Sequence, residues 1–132
     1  MGATHALIIG ISDYLRPEDR LPCARPSAER LRATLEKYYA IDTIKSLYDK
    51  DATLGGILKS LGKLQSLKRE DAVLLALCGH GRTVRGHWYF VPQDASLKDV
   101  QHRRFLAEYE LFVEYLDQIS AAHVPLIVDA CY

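Results

Sequence analysis

The run "DAVLLALCGHG", Asp71 to Gly81, decides the fold. A polar entry leads into an unbroken apolar stretch, Ala72 to Leu77, and the run closes on a histidine set between two glycines. Continuous apolar character without alternation is the mark of a strand covered on both faces, as in a parallel sheet. "ALIIGIS", residues 6–12, repeats the pattern near the start, and "VPLIVDA", residues 124–130, repeats it near the end as a further buried strand.

Helical periodicity fills the intervals. "SAERLRATLEKYYA" opens with Ser27 as a plausible N-cap and places Ala28, Leu31, Leu35 and Tyr38 or Tyr39 on one face. The polar segment before it, Asp13 to Pro26, reads as a long loop. A second strand is expected within Ile41 to Asp49. After Thr53 as a cap, Leu54, Ile57 or Leu58, Leu61 and Leu64 recur at helical spacing to about residue 67, although Gly55, Gly56 and Gly62 weaken the pattern. "RTVRGHWYFVPQDAS" reads as a hairpin turning near Arg85-Gly86-His87. Leu106, Tyr109, Phe112 or Val113, Leu116 and Ile119 predict a last helix over residues 106–120.

Strands alternating with helices imply right-handed βαβ units. The expected fold is α/β, a three-layer sandwich whose mainly parallel sheet is flanked by helices, with a small β-hairpin added. No internal repeat or linker divides residues 1–132, so one domain is expected. In such sheets ligands bind at the carboxyl ends of the strands. His80 and Cys131 both fall at that edge.

Composition narrows the function classes. The 132 residues are 48% hydrophobic and 26% charged, enough apolar material for one globular core. Seventeen Lys and Arg balance seventeen Asp and Glu, so no net charge draws the chain to nucleic acid or an anionic membrane. No apolar run approaches the ~20 residues of a membrane span, and no secretion signal is legible, so the chain is read as cytoplasmic. Three cysteines without knuckle spacing suit a reducing compartment. Cys78, His80 and Cys131 lack a fourth ligand at sensible spacing unless His87 folds back, and no Gly-rich phosphate loop follows a strand; no metal or cofactor is assigned.

The thiol and imidazole suggest chemistry. A free cysteine ionises near pH 8.5, so a nucleophilic thiol gains from a neighbouring histidine as base or cation. Glycines beside that histidine let backbone approach a substrate, and a free N–H donated to a developing oxyanion is worth about 3 kcal/mol.

Four blocks in order, "ALIIGISDY", "LLALCGHGR", "WYFVPQDA" and "LIVDACY", together resemble the caspase-like cysteine peptidases, and most closely their metacaspase and bacterial orthocaspase branch. Caspases place the histidine about 50 residues before the cysteine, as here. The resemblance implies Cys131 as nucleophile, His80 as its general acid/base partner, and the backbone N–H groups of Gly81 and Cys131 as oxyanion hole. It also implies that this chain is the large-subunit portion, and that a small-subunit segment completing the pocket is missing. The partners it implies are a protein or peptide substrate, that segment, and an activating sensor protein or domain. Two departures stand out: Cys78 occupies the position usually Ser before Gly-His-Gly, and Ser27 replaces the Asp of an Asn-Asp-Ala motif.

Asp129 bears on specificity. Two residues before Cys131 on an extended strand, it should face the same way at roughly 7 Å. A carboxylate there opposes thiolate formation by about 2 kcal/mol, which makes sense when a basic substrate residue neutralises it. The resemblance agrees, since Asp-Ala-Cys marks the Arg- and Lys-directed branch. The expected activity is therefore endopeptidase cleavage after Arg or Lys. The rival reading is a caspase-fold interaction module without turnover, to which the departures at Ser27 and Cys78 point. Asp13 and Asp94 are read as turn residues, Cys23 as a loop residue without chemical role, and Trp88, Tyr89 and Phe90 as hairpin packing.

Overall fold

The computed structural model describes residues 2–99 and 104–131, Cys131 by its backbone alone. Strand β1 (Thr4–Gly10) leads through a 3-10 turn (Pro17–Asp19) to helix α1 (Ala24–Tyr38). Strand β2 (Thr43–Tyr48), helix α2 (Leu54–Lys63) and strand β3 (Ala72–Val84) follow. Then come β4 (His87–Phe90), β5 (Leu106–Ala107), a π-helical stretch (Glu110–Tyr115) and β6 (Leu126–Cys131).

The sheet is mixed. The pairs β1–β2, β1–β3 and β3–β6 are parallel, whereas β3–β4 and β4–β5 are antiparallel. Strand β3 links the two parts. Its first half lies between β1 and β6, and its second half, from Gly81 on, forms a hairpin with β4. The buried strand and the first hairpin arm are thus one continuous strand through Gly-His-Gly. At the turn, Arg85 and Gly86 both have positive φ, 52° and 81°, the conformation that matches the twist of a two-residue hairpin.

Alternation along β1 and β3 splits the core into two layers. Leu7, Ile9, Leu75 and Leu77 pack toward Ile57 and Leu61 of α2 and toward Leu111. Ala6, Ile8, Ala76 and Cys78 pack toward Ala24, Ala28 and Leu35 of α1. Fully burying a Leu or Ile is worth about 1.5–3 kcal/mol relative to exposure. Small residues bring α1 close: a Cβ on Gly10 would meet the Ala28 Cβ at 2.5 Å.

Three expectations need correction. Helix α1 starts at Ala24, not after Ser27, and its N-cap Cys23 makes no side-chain bond. The capping acceptor comes instead from just beyond β1, where Ser12 Oγ accepts the Arg25 N–H at 2.8 Å. Residues 106–120 are not one α-helix. Leu106 pairs with Phe90 as β5, and the π-helical stretch that follows buries Leu111 while Tyr109, Phe112 and Val113 stay exposed. Strand β6 is not covered on both faces, because α1 and α2 pack over the other strands; Ile127 and Val128 are 42% and 44% exposed. The Thr53 cap is present, its side chain accepting the Gly56 N–H at 3.1 Å. Asp94 assists at the same helix end, taking the Leu54 N–H at 2.9 Å.

Candidate active site

Parallel pairing of β3 with β6 sets His80 beside Cys131 and Cys78 beside Asp129. Strand β3 does not end at His80, as the sequence suggests, but runs on to Val84; residues about 50 apart in sequence thereby become lateral neighbours at the carboxyl end of β6 and at the end of the parallel half of β3. His80 is half-buried. Its Nε2 lies 2.7 Å from the backbone carbonyl of Asp19. A carbonyl oxygen only accepts, so Nε2 carries a proton, and in the neutral ring Nδ1 holds the lone pair. Among the described residues Nδ1 has no hydrogen-bond partner.

The Asp19 carbonyl is held in place by its own side chain. Asp19 ends the 3-10 turn and is buried, and its carboxylate accepts the Leu97 N–H at 3.1 Å. Arg82 donates to the Leu97 carbonyl from the other direction. The backbone of His80 is engaged as well: its N–H donates to Tyr14 Oη at 2.8 Å, and the Tyr14 ring stands 4.9 Å from the imidazole.

Gly81 is buried, and a Cβ there would sit 2.7 Å from the Trp88 indole nitrogen. Val73 and Leu75 donate to the His123 and Pro125 carbonyls, so the odd-numbered N–H groups of β3 face β6. By that alternation the Gly81 N–H lies on the Cys131 side.

The other two thiols differ in environment. Cys78 is buried, and burial first and the Asp129 charge second push its thiol up to about 11. It stays protonated at neutral pH and acts as a small apolar residue. Cys23 is exposed at the start of α1. Asp129 itself is exposed and has no hydrogen bond or ion pair among the described residues. Ser27 sits in the first turn of α1, where its Oγ accepts from Arg30 at 3.4 Å.

A polar cleft of about 400 Å³ opens past the ends of β1 and β2, lined by Asp13, Arg25, Tyr48, Asp49, Lys50 and Gln93 among others. Within it, Asp49 takes N–H bonds from Ser12 and Asp13 and an ion pair from Arg25 at 2.8 Å. Asp13 is paired with Arg20 at 3.3 Å, both side chains largely exposed. His87 stands at the hairpin turn, 3.9 Å from Glu108. Among the described residues, no three His, Cys, Asp or Glu side chains converge on a metal position. No helix among them is long and apolar enough to cross a membrane.

The family model described as the caspase domain matches residues 3–132. The chain belongs to the caspase domain family. That is a family of cysteine peptidases. Among solved structures, this caspase-domain chain is similar to protein GSU0716 from Geobacter sulfurreducens, with a TM-score of 0.70 and 20% identity. The match covers 96% of this chain and 48% of that one, so the chain spans about half the length of the structure it matches. No curated protein matches.

Asp19, Tyr14, Ser12 and Asp49 are the residues of this region that pattern reading passes over. Of these, Tyr14 alone carries a signal in the sequence, as an aromatic just past a buried strand and inside a polar loop.

Proposed function

We propose that this chain is the large-subunit portion of a cysteine endopeptidase acting through a Cys131–His80 dyad and cleaving after Arg or Lys. The observation that carries the reading is the β3–β6 register, His80 against Cys131, together with the Asp19 carbonyl on His80 Nε2. A proton fixed on Nε2 leaves Nδ1 to exchange protons with thiol, leaving group and water.

The thiolate of Cys131 adds to the scissile carbonyl carbon, and the resulting oxyanion is met by the N–H groups of Gly81 and Cys131. Collapse breaks the C–N bond, the amine leaving with the proton from His80 Nδ1, and a thioester remains. Nδ1 then takes a proton from water as it attacks the thioester, and the returning proton regenerates the thiol. Asp129, open to solvent and without a fixed cation among the described residues, is the group offered to a substrate Arg or Lys. The small-subunit segment that the family resemblance implies completes that pocket, and an activating sensor protein or domain controls it.

Cys131→Ala and His80→Ala in the intact protein, assayed on Arg-, Lys- and Asp-containing peptides, test the reading. Both variants are expected to lose cleavage, by at least about 10³-fold on the scale of other nucleophile–base pairs. Undiminished cleavage in Cys131→Ala overturns the enzyme reading in favour of an interaction module, and a preference for Asp overturns the role of Asp129.

A further inference from the structure

The β3–β4 ladder is interrupted at His80. In an antiparallel pair, residues facing each other across a narrow pair exchange two bonds, each donating to the other's carbonyl. The pair His80 and Val91 makes only one of them directly, Val91 N–H to His80 C=O at 2.9 Å. In place of the reciprocal bond stands a side chain: the His80 N–H donates to Tyr14 Oη at 2.8 Å, and that hydroxyl donates to the Val91 carbonyl at 3.1 Å.

Three further features hold the hydroxyl there. Tyr14 is 6% exposed, and the Leu15 N–H donates to the Gln93 carbonyl at 3.0 Å, which runs the loop after β1 alongside residues 91–93. Gly79 supplies the space, since a Cβ on it would lie 2.7 Å from Tyr14 Oη and 3.0 Å from the Phe90 ring. Burial also pushes the phenol pKa upward, so the hydroxyl keeps the proton that it gives to Val91. The ring, tilted 39° at 4.9 Å, limits the imidazole from one side while the Asp19 carbonyl anchors Nε2.

We propose that Tyr14 is a positioning residue for His80: its hydroxyl, spliced into the β3–β4 ladder, and its ring, laid along the imidazole, set where Nδ1 stands relative to Cys131. The proposal rests on the His80–Cys131 dyad proposed above. Without the hydroxyl, the His80 N–H and Val91 C=O either close on each other, which shifts the His80 backbone, or stay unpaired, which frees it from the anchor that the hydroxyl supplies. Misplacing a catalytic group by about 1 Å costs up to a hundredfold; a smaller displacement should lower kcat about tenfold and leave KM nearly unchanged.

Tyr14→Phe in the intact protein is the test, read by kcat and KM on the preferred peptide and by ¹⁵N NMR of the His80 ring. The expected result is a lower kcat, an altered tautomer balance or midpoint at His80, and a pH profile that follows that midpoint. Unchanged ring resonances and pH profile, with loss confined to thermal stability, overturn the proposal. If Tyr14→Phe does not fold, hydrogen exchange in the wild type decides: a protected His80 amide with an NOE to a slowly exchanging hydroxyl supports the splice, and a freely exchanging amide overturns it. His80→Ala separates the two ideas. If it leaves cleavage intact, the dyad fails, whereas the His80 ring resonances of Tyr14→Phe still report whether Tyr14 positions the imidazole.

Discussion

Replacing Asp49 with alanine should strip support from the sheet edge that carries the site. Asp49 follows β2 in a left-handed conformation, φ 48°, and is 8% exposed. Its Oδ1 accepts the N–H groups of Ser12 and Asp13 at 2.8 and 2.9 Å, and its Oδ2 meets the Arg25 guanidinium at 2.8 Å. Burial opposes ionisation, but the Asp13 and Ser12 amides and Arg25 outweigh it and hold the carboxyl below its usual range. A backbone N–H bonded to a carboxylate contributes about 1.5–3 kcal/mol. The Arg25 side chain is 44% exposed, so its pairing is screened to about 0.5 kcal/mol. With both amide bonds taken at the low end, Asp49→Ala should cost about 3–4 kcal/mol, on the order of 10 °C in Tm for a domain of this size. Asp49→Asn keeps an acceptor oxygen and suits positive φ, so about half that loss is expected. Thermal unfolding followed by circular dichroism at a series of pH values is the assay. Because the folded pKa lies below the unfolded one, the stabilisation is complete above the ordinary carboxylate range, near pH 4, and is lost as pH falls through the folded value. The gap between wild type and Asp49→Ala should therefore narrow from pH 5 downward. An alanine variant that melts with the wild type at pH 7, or a gap that ignores acid, refutes the reasoning.

Gly10→Ala forces a methyl to 2.5 Å from the Ala28 Cβ, and overpacking of this kind costs about 1–3 kcal/mol. Melting of the single variant and of Gly10→Ala with Ala28→Gly checks it: the double variant should recover part of the loss, and simple additivity would disprove the close approach. Asp129→Asn removes the charge that adds to burial in raising the Cys78 thiol to about 11. The Cys78 midpoint, followed by ¹³Cβ NMR, should move down while staying above the value of a free thiol. An unmoved midpoint would show that Asp129 does not reach Cys78.

What could be read from the chain follows from which signals are local. Strands β1 and β3 are legible because both faces are covered, so neither needs a polar alternate. Their Ile8, Ile9, Leu75, Ala76 and Leu77 are fully buried. The same apolar signature misleads for β6, which pairs with β3 on one side and leaves Ile127 and Val128 exposed; hydrophobicity records what a strand can bury, not what covers it. The start of α1 departs from the local cap rule for a different reason. Ser27 satisfies the local cap rule, but the acceptor is Ser12, brought there by the fold. Between residues 106 and 119, spacings of three and four suggest a helix. Phe105 and Leu106 go instead to the hairpin, and the wider π turn exchanges Leu111 for Tyr109 in the core.

The candidate site divides along the same line. His80 and Cys131 could be placed together from sequence, since a parallel sheet with crossover connections delivers its strand ends to one edge. The groups that orient His80 carry no such signal. Every residue has a backbone carbonyl, so nothing in the identity of Asp19 announces that its carbonyl will hold Nε2. Its carboxylate is informative only once Leu97 is known to lie within reach. Tyr14 is the intermediate case. A phenol is expensive to bury unless its hydroxyl finds partners, so an aromatic that the fold encloses beside a glycine-flanked histidine must place that hydroxyl somewhere. Here the partners available were the two backbone groups that β3 and β4 would otherwise have given each other.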